Sequence, residues 1–231
     1  MRAGSSPDAG QYERRGGETS IPILGFLAVP LAAFAFSSSV QPLPAPLRDD
    51  LTPTYWRAGC PVPLTDLRLL TVRHWGFDGD PHTGQLIVNR KAAVPLARVF
   101  EQLYKLQFPI RHLLLADSYG PKNAQPADGD VSGSFKCRSA VPSPCSKGTV
   151  SKNWSNHAYG LAIDLNPNEN PYVGCGQTLN PARLPYLDRK RIRPGMVTPA
   201  VVSAFRRIGW GWGGAWTGST KDYMHFSWNG H

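Results

Sequence analysis

The sequence predicts an α+β fold: one domain with a small antiparallel sheet, flanking helices and long loops. Three observations carry this. The 231 residues include 23 Gly and 22 Pro, too many for a helical bundle. Short apolar runs of strand length alternate with stretches of helical period. A polar stretch rich in Gly, Ser, Pro and Asp fills residues 118–152, and a loop that long is usually functional or tied down.

The elements follow in chain order. Residues 83–90 (TGQLIVNR) read as a strand. Residues 94–107 place Leu96, Val99, Phe100 and Leu103 on one helical face, and Phe108-Pro109 ends that helix. Residues 110–117 (IRHLLLAD) are apolar and short, which predicts a buried strand, and residues 159–165 predict another. Thr198-Pro199 opens a second helix, with Thr as N-cap, Pro at its first position and Gly209 at its end. Residues 223–228 close the domain as a last strand.

Upstream, residues 21–36 run almost without a polar group. That is short of the roughly 20 residues a spanning helix needs. Small residues follow at Ala33, Ala35, Ser37 and Ser39, so residues 1–39 read as a secretory signal, or alternatively as a retained N-terminal anchor in contact with the membrane. Both place the body of the chain outside the cytoplasm. Residues 40–53 are Pro-rich and predict a stiff spacer, with the domain proper over 54–231.

The net charge is +9, and all of it lies beyond residue 39: Arg2, Arg14 and Arg15 there are balanced by Asp8, Glu13 and Glu18. A basic exported chain is drawn to an anionic cell wall. No basic run interleaves with aromatics and no nucleic-acid motif occurs, so no nucleic-acid partner is expected. The four cysteines, Cys60, Cys137, Cys145 and Cys175, form no C-x-x-C pair, which argues against a thiolate metal site. An even number in an exported chain predicts two disulfides of open connectivity.

The chemistry lies in two segments. In Ser155-Asn156-His157-Ala158-Tyr159-Gly160-Leu161-Ala162-Ile163-Asp164, His157 and Asp164 are both suited to a zinc ion. Residues seven apart on one strand point to opposite faces, so His157 must sit on a turn before the strand, with Gly160 freeing that turn. Asp164 then faces away from Ile163 and Leu165. In Asp222-Tyr223-Met224-His225-Phe226, His225 supplies a third ligand. Two His and one carboxylate leave a position for water. Asp222, at a bend before the last strand, is the candidate base.

These residues resemble a known family. Ser155-x-His157-x-x-Gly160-x-Ala162-x-Asp164 followed by Asp222-x-x-His225-Phe226 is similar to the D-alanyl-D-alanine carboxypeptidase group of zinc peptidases, the M15-type. Trp75-Gly76-Phe77-Asp78-Gly79, Phe135-x-Cys137-Arg138, Asn170-Pro171-Tyr172 and the Gly209–Gly214 turn extend the likeness across most of the domain. The resemblance implies a Hedgehog/D,D-peptidase-like fold and one zinc on His157, Asp164 and His225. It implies Asp222 as general base, where many members carry Glu. It also implies an arginine beside the scissile carbonyl. Asp117-Ser118-Tyr119-Gly120 has Gly where that arginine stands elsewhere in the family, so Arg138 takes the role, with Arg111 as the lesser candidate. Ser155, Tyr119, Trp212 and Trp216 are the expected substrate contacts. The implied activity is hydrolysis of peptidoglycan stem peptides by a monomer, as D-alanyl-D-alanine carboxypeptidase. An L-alanyl-D-glutamate endopeptidase and a non-catalytic wall-binding module are the alternatives.

Overall fold

The computed structural model describes residues 35–141, 153–178 and 180–231. The predicted signal or anchor lies almost wholly outside them, as does Cys145. No helix among the described residues is long and apolar enough to cross a membrane.

The first sheet is antiparallel, in the order β1 (Ser38–Pro42), β2 (Leu67–Trp75), β3 (Pro81–Asn89). Helix α1 (Ala45–Leu51) joins β1 to the segment before β2. Strands β2 and β3 form a hairpin closed by the Trp75–Gly79 stretch, where the Gly76 N–H donates to Asp80 O at 2.8 Å.

Alternation along β2 and β3 sends side chains to two cores. Leu70, Val72, Leu86 and Val88 pack on one face against α2 (Arg90–Lys105), α4 (Pro199–Arg206) and Phe226. Leu67, Leu69 and Ile87 pack on the other face with Leu43, Leu51, Val62, Phe135 and Cys137. Strand β2 and the second half of β3 therefore form a partition between two hydrophobic compartments.

Helix α2 starts earlier than its apolar period suggests, because Asn89 caps it by accepting the Lys91 N–H at 3.0 Å. Thr198 and Pro199 open α4 as expected.

Two expectations are corrected. Residues 40–53 are not a free spacer: Ser38–Pro42 pairs with β2, and Leu43 and Leu51 are buried. Proline hid this, since it is tolerated at a strand edge and in the first turn of a helix, where Pro42 and Pro46 stand. Residues 110–117 are not a strand. The chain there makes an isolated bridge at His112 and then turns into α3 (Leu115–Tyr119), where Asp117 Oδ2 accepts the Leu114 N–H at 3.0 Å. A short apolar run fits either structure, and the local cap decided for the helix.

The remaining strands are short. β4 (Ala162–Asp164), β8 (His225–Ser227) and β6 (Gly211–Trp212) make a second antiparallel sheet with β8 central. β5 (Tyr172–Val173) and β7 (Lys221–Asp222) make a two-stranded ribbon. Both predicted strands, 159–165 and 223–228, are real but trimmed to three residues each.

Candidate metal centre

In the β4–β8 register Asp164 lies directly opposite His225, and Ile163 opposite Phe226. Facing residues of an antiparallel pair share a face. Ile163 and Phe226 therefore fill the core, while Asp164 and His225 project together from the other side. Phe226 is locked by a stack on Phe205, ring centroids 3.8 Å apart.

His157 arrives from a 3₁₀ turn, Asn156–Tyr159, just before β4. Ser155 caps the turn, its hydroxyl accepting the His157 N–H at 3.3 Å. Gly160 ends it with φ +64°, and a Cβ there would stand 2.7 Å from Asn89 N. Only glycine meets both demands. The turn before the strand, and the freedom required of Gly160, are as the spacing predicted.

The tautomers follow from the neighbours. His157 Nδ1 lies 2.6 Å from Ser134 O and must donate to it, which leaves Nε2 as a lone pair. His225 Nε2 lies 3.2 Å from the main-chain oxygen of His231, which leaves Nδ1 as a lone pair. Those two nitrogens are 3.2 Å apart. Asp164 reaches both, Oδ2 to His157 Nε2 at 3.2 Å and Oδ1 to His225 Nδ1 at 3.0 Å. One ligand atom from each of the three residues lies within 4.8 Å of the others. Two lone pairs and a carboxylate lie together, with the outer N–H of each imidazole held by a main-chain oxygen, and such a donor set suits a metal ion.

Burial alone would push the Asp164 carboxyl up, but the two imidazoles outweigh it and hold the group well below the usual carboxylate range. Burial disfavours the charged form of His225, and Asp164 overcomes it so that the ring's pKa is raised.

Asp222 belongs to β7, where Tyr172 faces it across the ribbon. The bend at residues 223–224 separates it from β8, as its parity required. Gly213 of the Gly/Trp turn presses on it so closely that a Cβ there would stand 2.5 Å from Asp222 O. Burial, reinforced by the Asp164 charge, pushes the Asp222 carboxyl up to about 7. Its Oδ1 is buried and has no hydrogen-bond partner among the described residues. An orphaned carboxylate oxygen beside a three-ligand set fits a site built to take a metal ion and its water.

A cavity of about 340 Å³ opens at His157 and Asp164. Its wall includes Tyr119, Lys136 and Arg138. Arg138 also acts on Asp222 through its charge. Arg111 does not compete for the oxyanion role, since it donates to Asp130 and to Glu169, each at 2.9 Å. The other expected contacts are dispersed. Tyr119 lines the cavity, but its hydroxyl donates to Phe135 O at 2.7 Å. Ser155 is occupied as a cap. Trp216 stands 6.0 Å from the His225 ring, and Trp212 packs on Phe226. Neither tryptophan lines the cavity. Ser134 and His231 had no sequence signal, because both act through main-chain oxygens. The remaining histidines are engaged elsewhere: His74 contacts Trp75 O, while His82 and His112 pair with Asp78 and Asp128.

The fold and site thus define an α+β domain with a two-histidine, one-carboxylate group placed to hold a metal ion. Residues 149–228 match the family model described as D-alanyl-D-alanine carboxypeptidase. The matched segment holds His157, Asp164, Asp222 and His225; Lys136 and Arg138 lie before it. No curated protein and no solved structure matches the chain.

Proposed function

We propose that the protein is a zinc-dependent peptidase of the cell envelope that cleaves peptidoglycan stem peptides as a D-alanyl-D-alanine carboxypeptidase. The observation that carries this is the convergence of His157, Asp164 and His225 beside the buried, unpartnered oxygen of Asp222. A single zinc on the three ligands would supply Lewis acidity to a water and to the substrate carbonyl. Asp222 takes a proton from the attacking water and returns it to the leaving amine. Arg138 offers a guanidinium to the charge that develops on the carbonyl oxygen. Ser134 O and His231 O hold the two imidazoles in the tautomers that ligation needs. The Cys60–Cys137 disulfide supports an envelope location, since such bonds persist in oxidising compartments.

The test is metal analysis of the purified chain, with mass spectrometry of products from a cell-wall pentapeptide. About one zinc per chain and chelator-sensitive release of D-alanine are expected from a three-ligand open site. A zinc-loaded protein that leaves the pentapeptide intact would sink the proposal.

A further inference from the structure

Residues 133–138 cross the mouth of the metal centre as an extended strip. Main-chain bonds pin it on both sides. Gly133 exchanges two with Asp164, at 2.9 and 3.0 Å. The Phe135 N–H donates to Ile87 O at 3.2 Å, and the Lys136 N–H to His157 O at 3.1 Å. Arg138 O accepts the Ser155 N–H at 3.1 Å. Extended backbone alternates its side chains. Phe135 and Cys137 enter the second core, and a disulfide fixes Cys137 to Cys60. Lys136 and Arg138 take the opposite side and line the cavity together with His157 and Asp164.

The two cations differ. Arg138 lies within the field of Asp222, so its charge is partly answered by the protein. Lys136 is exposed and forms no ion pair among the described residues. An ammonium held by a rigid strip at the rim of a metal cavity, and left without a protein anion, is placed for an anion on the ligand. The cavity's own acids do not serve: Asp164 is spent on the two imidazoles and Asp117 caps α3.

We propose that Lys136 is a specificity-determining residue that binds a free carboxylate of the peptide substrate. This rests on the peptidase reading above and sharpens it: the site selects peptides by a carboxylate near the cleaved bond. Two sources share that chemistry, the C-terminal carboxylate and the α-carboxylate of a γ-linked D-glutamyl residue within the stem.

The experiment uses the full zinc-loaded chain and two peptide pairs. One pair is N-acetylated Lys-D-Ala-D-Ala with a free or amidated C-terminus. The other is a stem pentapeptide with D-glutamate or its α-amide. The free-acid form of one pair is expected to be cleaved about tenfold more efficiently, the size of one charged hydrogen bond. The preference should appear in KM, fall to about one in Lys136→Met, and be largely kept in Lys136→Arg. Lys105→Met removes the same charge from α2 and should leave the preference intact. The pair that responds names the carboxylate. Cleavage of all four peptides with no preference in either pair overturns this inference alone, and so does a preference that Lys136→Met leaves unchanged. A loaded protein that cleaves none of the four overturns the peptidase reading along with it.

Discussion

Asp222 and His225 are three residues apart in sequence yet stand on different strands, and the bend between them divides the proposed base from the proposed ligand. Replacing Asp222 with Asn should keep about one equivalent of metal while lowering kcat/KM by roughly 10²- to 10⁴-fold, the usual worth of a positioned base. Loss of metal in that variant would show the carboxylate to be a ligand instead. The pH profile has a definite sign. A base works ionised, and burial pushes the Asp222 carboxyl up to about 7. A bound dication pulls the other way, so kcat/KM should rise with pH to a plateau, with its midpoint below 7. Gly160→Ala combines a positive φ with a clash against Asn89 and should cost about 2 kcal/mol in denaturant unfolding. This scale was the most legible in the sequence. His157, Asp164, Asp222 and His225 carry their chemistry in their side chains and stand in a spaced pattern. Ser134 and His231 were invisible because any residue supplies a main-chain oxygen.

At the scale of elements, legibility followed locality. Helix α4 announces itself through Thr198-Pro199, a cap made from neighbours in sequence. Strand β2 was missed, although Leu67, Leu69, Leu70 and Val72 feed alternate faces, because Arg68, Arg73 and His74 interrupt the run and both faces turn out to be buried. The chain around Arg111 is held by a network no local pattern could reveal. Arg111 joins Asp130 and Glu169, which come from distant segments and are both buried. Arg111→Met would strand two carboxylates and should lower stability by about 3 kcal/mol, read from the denaturation midpoint. Burial and the Asp130 contact push the Glu169 carboxyl from 4.5 up to about 7, against the pull of Arg111. Folding therefore favours its protonated form. Its contribution is full below 4.5 and is lost as pH climbs toward 7. The stability of the wild type relative to Glu169→Gln should fall over that interval, and a flat difference would contradict the assignment.

Across the whole molecule, the β2–β3 partition gives the two cores separate duties. One supports the second sheet and hence Asp164 and His225. The other supports the strip that carries Lys136 and Arg138. The sequence signalled the first through helical periodicity in α2 and α4. It concealed the second, because its covering elements are a seven-residue helix with proline in its first turn and irregular chain around Val62 and Phe135–Cys137. Cys60–Cys137 closes 77 residues of chain across this second core, and Cys175 is disulfide-bonded as well. Replacing Cys60 and Cys137 by Ser should remove about 4 kcal/mol on the loop-closure estimate. It should also weaken peptide binding more than metal binding, since the strip and not the ligands loses its anchor. Such a bond forms only when an acceptor withdraws two electrons from a pair of thiols. A polypeptide kept among reducing thiols would thus own a complete set of metal ligands facing a slack doorway.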